Sequence, residues 1–157
     1  MPSSRLPAVP ASAAQRSDPA CACGRLRRAA RALTQLYDDA MAPAGLRVTQ
    51  FSLLRTLARS EPARISDLAA AQLLDRTALS RNLDPLVERR LVKVVPGSDA
   101  RTREVELTRA GRAALAAATP YWREAQAQVA KRLGRTKLEA LVAVLAELES
   151  LHPDTAR

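Results

Sequence analysis

A change of hydrophobic period in the middle of the chain constrains the fold most. Apolar residues recur at helical spacing from Arg76 to Arg90, and the segment Leu91–Val95 is then β-branched and strand-like. A turn signal follows at Pro96–Asp99, and Arg103–Leu107 alternates polar and apolar residues. The pattern predicts a helix followed directly by a short β-hairpin with a charged tip.

Helical spacing also marks the segments before the hairpin. Helices are predicted over Gly24–Met41 and Val48–Ala58, with Pro43 and Gly45 between them. A short helix is predicted to start within Ile65–Leu68, with Ser66 as its N-cap, and to run to about Gln72. Asp75 is predicted to cap the helix that precedes the hairpin.

Two further helices are predicted after the hairpin. Thr108 is expected to cap a long helix that is bent at Pro120 and ends at Gly134. A capping box of Thr136 and Glu139 is expected to begin the last helix, which carries an apolar seam. The predicted fold class is mainly α with a small β-hairpin: a winged helix-turn-helix with a dimer interface from its N- and C-terminal helices.

Length and charge narrow the class of protein. The 157 residues suit a single domain, predicted over residues 21–152 after a disordered tail at 1–20. Within it we expect a DNA-binding lobe at about 46–108 and dimerisation helices at about 21–42 and 108–151. The net charge of +9 favours polyanionic partners, although an arginine-rich composition alone would also produce it. No apolar run approaches ~18 residues, and the first residues do not match a signal peptide, so we expect a cytoplasmic protein.

Two other classes of protein are disfavoured. An enzyme is not expected, nor a cofactor or metal, because the one histidine is His152 near the C-terminus and Cys21-x-Cys23 lacks partners for zinc. A basic amphipathic membrane-surface protein is the other alternative, since the first helix is basic. Asp38 and Asp39 near the end of that helix argue against this alternative.

The helix before the hairpin has two distinct faces. Leu79, Leu83, Leu86 and Val87 share the face expected to pack inward, and Thr77, Ser80, Arg81, Asp84 and Glu88 share the opposite face. Arginine with short hydroxyl side chains near a helix N-terminus suits guanine edges and phosphates. An ordinary solvated face is the alternative, which Asp84 and Glu88 suit better.

The hairpin tip supplies a second basic element. Arg101 and Arg103 suit phosphate or minor-groove contact, and Asp99 is expected to hold Arg101 through a side-chain pair. An exposed turn with incidental charges is the alternative. The full set of predicted DNA-binding residues is Arg76, Thr77, Ala78, Ser80, Arg81, Ser66, Asp99, Arg101 and Arg103.

The ordered motifs resemble the multiple-antibiotic-resistance regulator (MarR) family over about residues 21–150. The motifs are Gly45-Leu46, Gln50–Leu54, Ile65–Ala69, Asp75–Leu83, Leu91-Val92, Asp99-Ala100-Arg101 and Leu107–Gly111, the last two being the most specific. The chain departs from the family where Gln72 and Leu73 replace the usual Leu and Gly of the helix-turn-helix bend. Arg47 also stands where a threonine cap is common.

The resemblance implies a homodimer on a pseudo-palindromic duplex, with recognition helices in major grooves and wing arginines in flanking minor grooves. Most such proteins are repressors released by a small ligand or an oxidant. For a small aromatic or phenolic ligand, the candidates beside the family pocket are Tyr37, Met41, Arg55, Tyr121 and Trp122, and core packing is the alternative.

A thiol switch is the second interpretation. Cys23 lies as far before Gln50 as the reactive cysteine of the organic-hydroperoxide-sensing branch, and Tyr37 matches a tyrosine of that branch, whereas Arg27 replaces another. Nearby arginines and the helix N-terminus would favour a thiolate, and Cys21 is a candidate partner. Two small, inert residues are the alternative.

Overall fold

The computed structural model describes residues 21–99 and 101–153, and the predicted tail at 1–20 lies outside the described residues. The described residues divide between Leu33 and Thr34 into two compact units. The single domain predicted over residues 21–152 stays a prediction.

The described residues form six α-helices and a small antiparallel sheet. The helices are α1 (Ala22–Met41), α2 (Val48–Ser60), α3 (Ile65–Ala71), α4 (Arg76–Glu88), α5 (Arg109–Leu133) and α6 (Arg135–Glu149), with a 3-10 turn at Ala42–Ala44. The strands are β1 (Ala63–Arg64), β2 (Val92–Pro96) and β3 (Arg103–Leu107). This order confirms the predicted winged helix-turn-helix: α3 and α4 form the helix-turn-helix, and β2 and β3 form the hairpin, called the wing below.

Strand β1 was not predicted. It pairs with β3 on the side away from β2, so the sheet order is β1-β3-β2. In the register, Val105 lies opposite both Ala63 and Val94. A two-residue strand is too short to show an alternating pattern, so only its pairing with β3 identifies it.

The predicted caps at Asp75, Thr108 and Gly134 are confirmed. The Asp75 carboxylate accepts the Ala78 N–H at 2.7 Å, and the Thr108 hydroxyl accepts the Gly111 N–H at 3.0 Å. Gly134 ends α5 with a φ of 79°.

The predicted caps at Ser66 and Thr136 are wrong. The N-cap of α3 is Arg64, two residues earlier, because Arg64 is held in extended backbone by its pairing with Glu104. The Ser66 side chain is exposed in the first turn of α3 and donates to Asp67 Oδ1 at 3.3 Å. Helix α6 begins at Arg135, directly after Gly134, so Thr136 lies inside the first turn.

The core lies where α2 meets the helix-turn-helix, the sheet and α5. Its largest fully buried side chains are Phe51, Met41, Leu54, Leu57, Leu68, Leu79, Leu86 and Val105. Burying one such side chain contributes about 1.5–3 kcal/mol. Leu79 and Leu86 come from α4, so the same core that stabilises the lobe fixes the rotation of this helix about its axis.

The bend between α3 and α4 forms a regular helix-ending turn although it contains no glycine. Leu73 takes a left-handed φ of 51°, and the Leu73 and Leu74 N–H groups donate to the Ala70 and Ala69 carbonyls at 3.0 and 2.9 Å. This is a Schellman motif with leucine where glycine is usual. Left-handed backbone costs a non-glycine residue roughly 1–2 kcal/mol, which the buried leucines of α3 and α4 offset.

The C-terminal end of α4 is fixed in the same way. Arg90 has a φ of 56°, and the Arg90 and Leu91 N–H groups donate to the Val87 and Leu86 carbonyls, each at 2.8 Å. The Arg89 guanidinium also donates to the Gly45 carbonyl at 2.9 Å. Both ends of α4 are therefore held, which keeps its exposed face in one orientation.

Glu61 joins three elements at the base of the wing. It follows α2 directly, and its carboxylate accepts the Leu107 N–H of β3 at 2.9 Å and pairs with the Arg112 guanidinium of α5. Burial alone would raise the pKa of Glu61, but the hydrogen bonds from Arg112 and Leu107 and the Arg112 charge bring this pKa below its usual value.

This lowered pKa makes part of the stability dependent on pH. Because the charged form is favoured in the fold, its contribution is present above the ordinary Glu pKa and is lost as pH falls through the lower folded value. We expect Glu61→Gln to lower the free energy of unfolding by about 1 kcal/mol at pH 7. Urea melts at a series of pH values should show this difference shrinking below about pH 4.5. A difference that stays constant down to about pH 3 would contradict the role of the Glu61 charge.

Candidate nucleic-acid interface

The first turns of α4 present a polar, cationic surface. The side chains of Arg76, Thr77, Ser80 and Arg81 are exposed, and Ala78 is half-buried beside them. Leu79, Leu83 and Leu86 on the other side are at most 3% exposed. Val87, predicted to pack inward, is 39% exposed, because the chain leaves the helix two residues later.

Two of these side chains have defined local partners. The Ser80 hydroxyl donates to the Arg76 carbonyl at 2.9 Å, which leaves its oxygen lone pairs to accept from a ligand. The Asp75 carboxylate occupies the Ala78 N–H, so this part of the helix N-terminus is already neutralised. The Arg81 side chain projects from the second turn, with a planar guanidinium that suits bidentate acceptors such as a guanine edge.

The wing tip is held by Asp99, in a different way from that predicted. The Asp99 carboxylate accepts the backbone N–H groups of Arg101 and Thr102 at 2.8 and 2.9 Å. The Gly97 N–H donates to the Thr102 carbonyl at 2.9 Å and closes the loop. The described hydrogen bonds of the Asp99 carboxylate therefore run to the backbone, and the expected pair with the Arg101 side chain is wrong. Asp99 shapes the turn, and the side chains of Arg101 and Arg103 remain exposed.

An aromatic cluster lies between α2 and α5. The rings of Phe51 and Trp122 stack with centroids 5.7 Å apart, and the Arg55 Cζ atom lies 4.5 Å from the Trp122 centroid. Burial raises the pKa of the Tyr37 phenol, and the Arg55 charge opposes part of this rise. We call Phe51, Arg55 and Trp122 the aromatic cluster. Phe51 was not among the predicted pocket residues, and its position one helical turn before Arg55 is the signal that would have found it.

The other predicted pocket residues lie elsewhere in the packing. Met41 is 0% exposed in the core, so it has no surface to offer a ligand in this conformation. Tyr121 is half-buried against the core. Of the predicted set, the structure thus brings Arg55 and Trp122 into contact, and the Arg55 charge acts on the phenol of Tyr37.

Cys21 and Cys23 lie at the start of α1, where both are exposed and neither forms a disulfide. The redox interpretation stays a prediction. In residues 21–99 and 101–153, His, Cys, Asp and Glu side chains form no group of three or more that suits a metal ion. Across the same residues, no helix combines the length and apolar character needed to cross a membrane.

Comparison with known proteins places this geometry in a family. A family model described as MarR family matches residues 44–102, the stretch from the 3-10 turn to the wing tip. No curated protein matches the chain in sequence.

Three solved structures are similar over most of the chain. The Mycobacterium tuberculosis transcriptional regulator MosR, in complex with DNA, is 43% identical and has a TM-score of 0.74 over 83% of this chain and 97% of its own. The transcriptional repressor CouR bound to a 23-mer DNA duplex is 28% identical, with a TM-score of 0.75 over 82% of this chain and 92% of its own. CouR bound to p-coumaroyl-CoA is 26% identical, with a TM-score of 0.72 over 82% and 91%.

The order of the helix-turn-helix, with its capped helix α4, and the wing agrees with this likeness. The chain belongs to the MarR family of winged-helix transcription regulators, whose members are dimers that bind DNA.

Proposed function

We propose that this protein is a dimeric repressor that binds a pseudo-palindromic duplex through α4 and the wing and is released by a small aromatic ligand. One observation carries the DNA-binding part: the face of α4 with Thr77, Ser80 and Arg81 is exposed, while both ends of the helix are fixed. The DNA complexes of MosR and CouR support the same use of this fold.

In this proposal, helix α4 and the wing contact different parts of the duplex. Arg81 and its hydroxyl neighbours enter the major groove, where donor and acceptor patterns distinguish all four base pairs. Arg76 contacts phosphate at the start of the helix, and Ser66 lies in the exposed first turn of α3, where it also reaches backbone phosphate. Arg101 and Arg103 extend the contact to the flanking minor groove.

Selection of bound duplexes from a random pool tests this proposal. The expected result is an enriched sequence with two related half-sites about 10 base pairs apart, centre to centre, as two recognition helices of a dimer require. Affinity for this duplex should fall with rising salt yet exceed that for random duplex by at least about a thousandfold. Binding with no sequence preference would contradict the proposal.

Dimerisation is supported by the unpartnered apolar side chains of the last helix. In α6 and just beyond it, five large apolar side chains among the described residues are 37–77% exposed: Leu141, Val142, Val144, Leu148 and Leu151.

We expect light scattering at micromolar concentration to give twice the mass of one chain. The substitution Val142→Asp should shift the protein towards monomer. Because a buried, unpaired carboxylate costs several kcal/mol, the shift should be large. Lys137→Asp, on the first turn of the same helix, is the matched control that should leave the dimer intact. A monomeric wild-type protein would contradict the proposal.

Ligand binding is proposed at the aromatic cluster. The Arg55 guanidinium, stacked on Trp122, offers a charge for a carboxylate beside aromatic surface for a ring. The complex of CouR with p-coumaroyl-CoA supports an aromatic effector.

Trp122 is the single tryptophan of the chain, so its fluorescence reports directly on this site. We expect salicylate or p-coumarate to quench it saturably, and Arg55→Gln to weaken binding by about tenfold or more, since a charge-assisted hydrogen bond is lost. Arg59→Gln, one turn further along α2 and exposed, is the matched control that should bind as the wild type does. No saturable change at millimolar concentrations of either compound would argue against the site.

A further inference from the structure

The wing is held at its base from both edges. On the β2 side, the Thr108 hydroxyl donates to the Arg90 carbonyl at 2.7 Å, and the Thr108 N–H donates to the Leu91 carbonyl at 3.1 Å. On the β1 side, the contact is the Glu61 carboxylate on the Leu107 N–H. The tip itself has local turn contacts through Asp99, so the direction of the wing is decided at its base.

The Glu61 side chain accepts a hydrogen bond from β3 for which the sheet has no backbone acceptor. In the β1–β3 register, Ala63 lies opposite Val105, so continuing the ladder by two residues would place position 61 opposite Leu107. Strand β1 begins only at Ala63, so the backbone ladder ends before it reaches position 61. The Glu61 side chain therefore replaces the missing strand partner and satisfies the Leu107 N–H.

The same carboxylate ties this point to α5. Its second oxygen pairs with the guanidinium of Arg112, one turn into that helix, and the Glu61 side chain is only 17% exposed. A carboxylate this buried is unfavourable unless it is paired and hydrogen-bonded, so the three groups hold one arrangement. The end of α2, the last residue of β3 and the start of α5 are thereby fixed to one another.

We propose that Glu61 is a positioning residue for DNA binding: by joining Leu107 to Arg112, it sets the direction in which the wing presents Arg101 to the duplex. This inference rests on the wing contact proposed above. Glu61 is not among the proposed DNA contacts, and its effect acts chiefly through Arg101 at the wing tip.

The direction in which Glu61→Gln changes DNA affinity distinguishes a positioning role from an effect of charge alone. Removing a carboxylate from a DNA-binding surface raises affinity if charge alone matters, because phosphate repulsion falls. Loss of positioning lowers affinity instead. Glu104→Gln, which removes the same charge from β3, is therefore the matched control, and its affinity should stay equal or rise.

A double-mutant cycle tests the proposal on the full-length dimer, with the selected duplex and at a temperature where every variant is folded. We expect Glu61→Gln alone to weaken binding by about fivefold, Arg101→Ala alone by about tenfold, and the double variant no more than Arg101→Ala, the signature of coupled residues. If Glu61→Gln does not fold, Arg112→Gln removes the more exposed partner of the same contact and takes its place in the cycle.

Each other outcome overturns a distinct claim. If Arg101→Ala weakens binding but Glu61→Gln does not, or if the two effects simply add, Glu61 does not position the wing and the proposed function stands. If Arg101→Ala has no effect, the proposed wing contact fails and the positioning role fails with it.

Discussion

Gly111→Ala is expected to destabilise the protein by about 3 kcal/mol or more, a large effect for the addition of a single methyl group. A Cβ at Gly111 would lie 1.9 Å from the Leu91 carbonyl oxygen and 2.9 Å from its carbon. The obstructing atoms belong to the backbone, and that carbonyl accepts the Thr108 N–H, so it cannot move without breaking the base of the wing. Urea or thermal denaturation followed by circular dichroism should show the loss.

A glycine in an equivalent position provides the control. Gly24 is the third residue of α1, as Gly111 is the third residue of α5. An added Cβ at Gly24 meets nothing closer than 3.9 Å. Gly24→Ala should therefore be neutral or stabilise the helix by roughly 0.5–1 kcal/mol, through the lower conformational entropy of the unfolded chain. If both substitutions cost the same, the close approach to Leu91 is not what requires glycine.

Arg81→Ala is expected to reduce the affinity for the selected duplex by roughly tenfold to a hundredfold, the loss of one bidentate base contact of about 1–3 kcal/mol. Affinity for random duplex should fall much less, because a single positive charge is a small part of the non-specific attraction of a chain with net charge +9. Fluorescence anisotropy titrations with both duplexes measure the two effects separately.

The variant Arg81→Lys separates the effect of the positive charge from that of the planar guanidinium. Lysine keeps the charge but has no planar fork of donors, so it should retain binding to random duplex while losing most of the preference for the selected one. Arg135→Ala, on α6 and paired with Glu139, removes an exposed charge elsewhere and should change neither affinity. Equal losses on both duplexes for Arg81→Ala would show that Arg81 contacts phosphate and does not distinguish bases.

Most elements of the fold were predictable because their signals are local. Asp75 and Thr108 bond to backbone groups three residues away, so their capping roles follow from neighbouring residues alone. The motif Leu107-Thr108-x-x-Gly111 is among the most specific in the sequence, and the structure adds its physical reason: Thr108 caps α5 while Gly111 lets that helix approach Leu91.

Two of the incorrect predictions show why residue type alone was not sufficient. Residue type favours Ser66 as a cap, but the pairing of Arg64 with Glu104 starts α3 earlier. Charge favours a pair between Asp99 and an arginine side chain, but the turn brings backbone N–H groups closer. A pairing between distant residues overruled the local preference at Ser66, whereas at Asp99 hydrogen bonds within the turn replaced the expected charge pair.

The order of the helices and the two wing strands, and with it the family, follows from the sequence itself, because periodicity, caps and turns depend on residues a few positions apart. Only the tertiary structure determined which distant groups meet. Glu61 reaches Leu107 and Arg112 across 46 and 51 residues, and Phe51 stacks on Trp122, because the packing of α2 against the sheet and α5 brings those segments together. Such contacts depend on the position of the backbone in space, which no local pattern of residues encodes.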